Sequence, residues 1–101
     1  MDEDEVVVRV IVRGRVQGVG YRAFTETEAL ARGVRGWVRN LRTGEVEAIF
    51  AGDASAVETL CAICREGPPH ALVLAVDILP ADRGLLEDSG WEGGFHQLAT
   101  L

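Results

Sequence analysis

Eight residues near the N-terminus set the first limit on the fold: Val6, Val8, Val10 and Val12 alternate with Val7, Arg9, Ile11 and Arg13. Alternation with a period of two reads as a strand with unlike faces, because successive side chains on an extended backbone point to opposite sides. One face is all valine and needs a core to pack against. The other carries two arginines, so that side of the sheet is expected to be solvated. The strand then meets Gly14, Gly18 and Gly20, and three glycines in seven residues mark a loop.

The rest of the chain alternates between helical and extended patterns. A helix is expected from about Tyr21 to Arg32, with Phe24, the pair Thr27/Glu28 and Ala31 at helical spacing and Gly33 just past its end. Gly36 to Asn40 reads as a second strand around Trp37 and Val38. Arg42-Thr43-Gly44 is a turn, and Glu45 to Ala51 is a third strand, giving a hairpin. Asp53 or Ser55 can cap a second helix that turns Val57, Leu60, Cys61 and Cys64 inward and ends at Gly67-Pro68-Pro69. His70 to Leu79 is a fourth strand, whose unbroken apolar run predicts burial on both faces. Residues 80–93 read as loop, and Gly94 to Leu98 as a short last strand. The order β-α-β-β-α-β is that of an α+β, ferredoxin-like sandwich: an antiparallel sheet with two helices on one face.

A chain of 101 residues holds one domain, expected over 6–101 behind a flexible acidic tail at 1–5. No apolar run is long enough for a bilayer, so a cytoplasmic protein without a membrane partner is expected. Residues 1–50 carry eight arginines and eight acids, whereas residues 51–101 carry two arginines and eight acids. The net charge of −6 therefore lies entirely in the second half. A locally basic stretch on an acidic chain suits a small anion better than a nucleic acid. Lysine is absent, which excludes Schiff-base chemistry and a Walker-type lysine. Cys61 and Cys64 fall inside the second helix, where burial is expected in place of redox chemistry.

The loop from Gly14 to Arg22 carries the chemistry. Glycines free the backbone to aim successive N–H groups inward as an anion nest, and the following helix adds its positive end. Arg22, in the first turn, can fork onto two phosphate oxygens. The loop is neither a P-loop nor a dinucleotide fingerprint, and taken alone it fits a structural turn as well as a phosphate site.

Two motifs narrow this reading. Val12-Arg13-Gly14-Arg15-Val16-Gln17-Gly18-Val19-Gly20-Tyr21-Arg22 resembles the first signature of the acylphosphatases. Gly36-Trp37-Val38-Arg39-Asn40, followed by Gly44, Val46 and Gly52, resembles the second. The likeness covers about Val6 to Leu79. It departs in the last strand, where Phe95-His96-Gln97-Leu98 has Gln97 at an ordinarily apolar position and no tyrosine. The resemblance implies the same sandwich and two catalytic residues, Arg22 and Asn40. Arg22 would hold the phosphoryl group with the backbone of Arg15, Val16, Gln17, Gly18, Val19, Gly20 and Tyr21, and Asn40 would orient the attacking water.

The chemistry agrees with that implication. Asn40 can donate and accept a hydrogen bond at once, as a positioned water requires. A carboxylate leaves phosphorus without protonation, so an acyl phosphate needs no general acid and no metal, unlike a phosphate monoester. His70 and His96 are expected to be structural or exposed, Ser55 a cap and Ser89 a loop residue. Trp37 and Phe24 are expected in the core, and Arg13, Arg15 and Arg39 on the solvated face. The expected protein is a monomeric, cofactor-free and metal-independent hydrolase whose partners are an acyl phosphate substrate and inorganic phosphate as product. A non-catalytic module binding a phosphate or carbamoyl-phosphate-like ligand or a domain partner is the second reading. An RNA-binding module ranks last, because it needs a basic sheet with surface aromatics.

Overall fold

The computed structural model describes residues 5–87 and 93–101. Residues 1–4 of the expected tail and 88–92 of the expected loop, Ser89 included, lie outside the described residues. The elements are β1 (Glu5–Arg15), α1 (Tyr21–Ala31), β2 (Arg35–Asn40), β3 (Val46–Asp53), α2 (Ala54–Glu66), β4 (Leu72–Pro80), α3 (Gly84–Glu87) and β5 (Phe95–Gln97). They form one sheet in the order β4-β1-β3-β2-β5. The pairs β4–β1, β1–β3 and β3–β2 are antiparallel, and β5 lies parallel to β2 at the edge. The result is the expected ferredoxin-like sandwich, with one parallel strand added to the expected antiparallel sheet.

Both helices cover the valine face of β1. Val10 and Val12 share one core with Tyr21 and Ala29 of α1 and with Val57, Leu60, Cys61 and Cys64 of α2. The inward stripe of α2 is the one its periodicity predicts. That of α1 is not. It buries Tyr21, Thr25 and Ala29, whereas of the residues read at helical spacing Phe24 and Glu28 are half-buried and Thr27 and Ala31 are exposed. The spacing of four survives but the phase shifts, because both buried hydroxyls find partners, one on α2 and one within α1. Tyr21 Oη donates to the Cys64 carbonyl at 2.6 Å, and Thr25 Oγ1 donates to the Tyr21 carbonyl at 2.9 Å. A buried hydroxyl with a partner costs little, so a stripe that hydropathy undervalues becomes the packing face. The two expected caps of α2 bond each other: Ser55 Oγ donates to Asp53 Oδ2 at 2.6 Å, and neither caps the helix through its side chain.

β4 corrects a second expectation. Its apolar run predicts burial on both faces, yet β4 is an edge strand with β1 as its one neighbour. Leu72, Leu74, Ile78 and Leu79 are exposed, Leu74 to 72%. An apolar run says that a strand is compatible with burial. Its place in the sheet decides how much cover it receives.

The outer face is less open than the sequence predicts. α3 falls inside the stretch read as loop, and its Leu86 packs with Trp37, Ile49 and Ala51 in a second, smaller core. Trp37 is therefore buried as expected, but on the side away from the helices, and its indole N–H donates to the Leu85 carbonyl at 3.0 Å. Phe24 is half-buried against Tyr21. Beside this core Glu47, 4% exposed, accepts from Arg9 and Arg39 at 2.7 Å each, and the Arg39 guanidinium lies 4.5 Å over the Trp37 ring. Two arginines on one carboxylate satisfy a buried charge that would otherwise cost several kcal/mol. Arg39 is thus tied down, whereas Arg13, as expected, is exposed and pairs with Glu45 and Asp77.

Glu5, which the sequence assigns to the tail, starts β1 and holds the chain after β4. It pairs with Arg35 at 2.7 Å and also with Arg83. Hydrogen bonds from Arg35 first and Arg83 second hold its carboxyl below the usual glutamate range. A lowered folded-state pKa adds stability that is present above the unfolded value, about 4.3, and is lost as pH falls through the folded one. Glu5→Gln should therefore lower the melting temperature at pH 7, and the gap to the parent should close at acid pH. Melting curves at pH 7 and pH 3 check this, and a gap that stays constant would remove the charge from the explanation.

Among the described residues no helix is long and apolar enough to cross a membrane.

Candidate active site

The loop after β1 is shaped by its glycines. Gly18 and Gly20 have φ of 75° and 79°, left-handed values that no other residue type adopts among the described residues. A side chain at either position would meet open space, so the conformation alone requires glycine there. Gly20 is also the N-cap of α1 and offers no side chain to cap it. The N–H groups of the first turn therefore have no partner within the helix. With the helix dipole behind them, such groups favour a negatively charged ligand.

A cavity of about 250 Å³ opens at this point, lined by Val16, Gly18, Gly20, Tyr21, Arg22, Ala23, Asn40 and Gln97. Three elements meet there: the loop and the start of α1, the end of β2, and β5. Arg22 is half-buried, and its Nη1 donates to the Leu98 carbonyl at 3.4 Å. Arg9, Arg13, Arg32, Arg35, Arg39 and Arg83 each pair with a carboxylate. Among the described residues Arg22 pairs with none, so its charge faces the cavity uncompensated.

The other loop residues named from the sequence divide by what their side chains do. Val16 and Tyr21 are buried in the main core, with Val19 packed against it. Gln17 turns away from the cavity and donates both amide protons, to the Leu41 carbonyl at 2.7 Å and the Glu45 carbonyl at 2.8 Å. It ties the loop to the turn that follows Asn40. Arg15 is exposed and does not line the cavity. Of these five residues Val16 and Tyr21 line the cavity, and Arg15, Gln17 and Val19 do not. Ala23 and Gln97 also line the cavity, and neither motif points to them. For Gln97 the sequence does hold a signal, a polar residue in a strand position ordinarily apolar.

Neither cysteine offers a nucleophile. Both are buried and free, and burial pushes the Cys64 thiol up to about 12 and that of Cys61 upward. Burial raises Tyr21 as well, which keeps its anchoring hydroxyl protonated. His70 and His96 are exposed.

A sequence model of the family described as Acylphosphatase matches residues 8–88. The chain belongs to the acylphosphatase family. An acylphosphatase of Nitrobacter hamburgensis is 56% identical over 77 residues, 76% of this chain and 78% of that one. One from Rhodopseudomonas palustris is 51% identical over 96 residues, 95% of this chain and 97% of that one. In three dimensions an acylphosphatase from Coxiella burnetii superposes with a TM-score of 0.82 at 31% identity, covering 95% of each chain. The Bacillus subtilis acylphosphatase gives 0.81 at 33% identity, covering 92% of this chain and 98% of that one. The acylphosphatase match takes in both sequence signatures, and with them the loop, Arg22 and Asn40.

Proposed function

We propose that this acylphosphatase hydrolyses the carboxyl–phosphate bond of small acyl phosphates to a carboxylate and inorganic phosphate without a metal ion. The observation that carries the proposal is the meeting of Arg22 and Asn40, from α1 and β2, on one cavity with Gly18 and Gly20. The backbone from Arg15 to Tyr21 and the forked guanidinium of Arg22 hold the phosphoryl oxygens. Asn40 holds a water in line with phosphorus, opposite the leaving oxygen. Water adds to phosphorus, the P–O bond to the acyl group breaks, and the electron pair leaves on the carboxylate. Asn40 has no basic group near neutral pH, so the water's proton passes to a phosphoryl oxygen of the substrate. Catalysis then rests on positioning and charge, which is where phosphoryl transfer gains most.

The substrate class follows from the leaving group. A carboxylic acid is strong enough for its anion to depart unaided, whereas the alkoxide of a monoester needs a proton or a Lewis acid. The purified protein should hydrolyse acetyl or benzoyl phosphate, leave a phosphate monoester intact, and keep its rate in EDTA. Loss of turnover in EDTA, restored by a divalent ion, would overturn the metal-independent mechanism.

A further inference from the structure

Asn40 lies where the sheet runs out. β5 shields β2 through the pairs Gly36↔Phe95, Trp37↔His96 and Val38↔Gln97. The Leu98 N–H extends this by one bond, to the Val38 carbonyl at 2.8 Å. On its other side Asn40 forms the last pair with β3, opposite Val46. Its carbonyl therefore falls two residues beyond the cover of β5. The chain comes back to reach it. The Leu101 N–H donates to the Asn40 carbonyl at 3.0 Å, and the Arg42 N–H donates to the Leu101 carbonyl at 2.9 Å. Leu101 thus brackets the Asn40–Arg42 backbone as a strand residue would. Its side chain is 61% exposed, so the contact belongs to the main chain. The same segment reaches Arg22 through the Leu98 carbonyl.

We infer that Leu101 is a positioning residue whose main-chain N–H fixes the strand end that carries Asn40. The inference rests on the water-holding role proposed for Asn40. The direction of a side chain is set by its own backbone, and a terminal strand residue without a partner on one edge frays. A displacement of about 1 Å at a group that aligns a reactant can cost on the order of 10²-fold in rate. The phosphate cradle lies in the loop and at the start of α1, so it is spared.

Leu101→Pro removes the N–H, and Leu101→Ala keeps it. Leu101→Pro should lower kcat for benzoyl phosphate by roughly tenfold or more while the inhibition constant of inorganic phosphate holds. Leu101→Ala should match the parent. Deleting Leu101, which removes both hydrogen bonds without adding a ring, should reproduce Leu101→Pro. In an Asn40→Ala background Leu101→Pro should cost nothing further, because the residue it positions is gone. Parental kcat in Leu101→Pro or in the deletion overturns the inference, as do losses that multiply in the double variant. If Asn40→Ala alone keeps parental turnover, the role of Asn40 falls and this inference falls with it, an outcome distinct from the other two.

Discussion

Arg22→Lys is expected to remove nearly all turnover of an acyl phosphate, a loss of about 10²–10³-fold or more in kcat, the range found when a transition-state donor is deleted. Position 22 is in the first turn of α1, and among the described residues its guanidinium carries the one arginine charge that lines the cavity. A planar fork can hold two phosphoryl oxygens in fixed directions. An ammonium supplies one point charge with no preferred plane. Charge is conserved in this substitution and geometry is not, so the result separates electrostatic attraction from positioning. Steady-state kinetics with benzoyl phosphate measures it. A variant turning over at the parental rate would show that attraction suffices and that the fork is dispensable.

The fold is legible where a pattern has one physical cause. The alternation of Val6 to Arg13 has no reading but a two-faced strand, and Val10 and Val12 are buried against both helices. The stripe of α2 is apolar throughout and is buried as its spacing predicts. Legibility fails where burial depends on partners far along the chain. Thr25 is buried because its hydroxyl bonds the preceding turn of its own helix and its side chain meets Cys64 of α2, and hydropathy registers neither. β4 is apolar and exposed because strand order leaves it at an edge, and strand order is not written in any one segment.

The site is legible for a different reason. Its residues are set by chemistry, and they cluster in two short stretches whose glycines and polar groups contribute little to a core. Gly18 and Gly20 take the left-handed conformations that a nest requires. Arg22 and Asn40, 18 positions apart in the chain, line one cavity. Hidden from the sequence is the tertiary support: Gln17 joining the loop to the turn after Asn40, and the terminal segment reaching both Arg22 and Asn40. Gln17 reads as a loop residue until the hairpin that it bonds is folded beside it. Leu101 reads as an exposed leucine because its contribution is made by the peptide group, which every residue has.

Asn40→Ala is expected to divide catalysis from binding. It should lower kcat by about 10²–10³-fold, the usual cost of losing an aligning group in a transition state. The inhibition constant of inorganic phosphate should change little, because the loop backbone, the start of α1 and Arg22 are untouched. Asn40→Asp makes the contrast sharper. It keeps the shape of the side chain but places a negative charge beside a phosphoryl group and removes the amide's donor. That variant should lose phosphate affinity as well as turnover. The two substitutions together identify which property of Asn40 matters. If alanine weakens phosphate as much as it slows turnover, Asn40 binds the phosphoryl group directly, and the water must be held by another group on the cavity wall, where Gln97 offers the remaining side-chain amide.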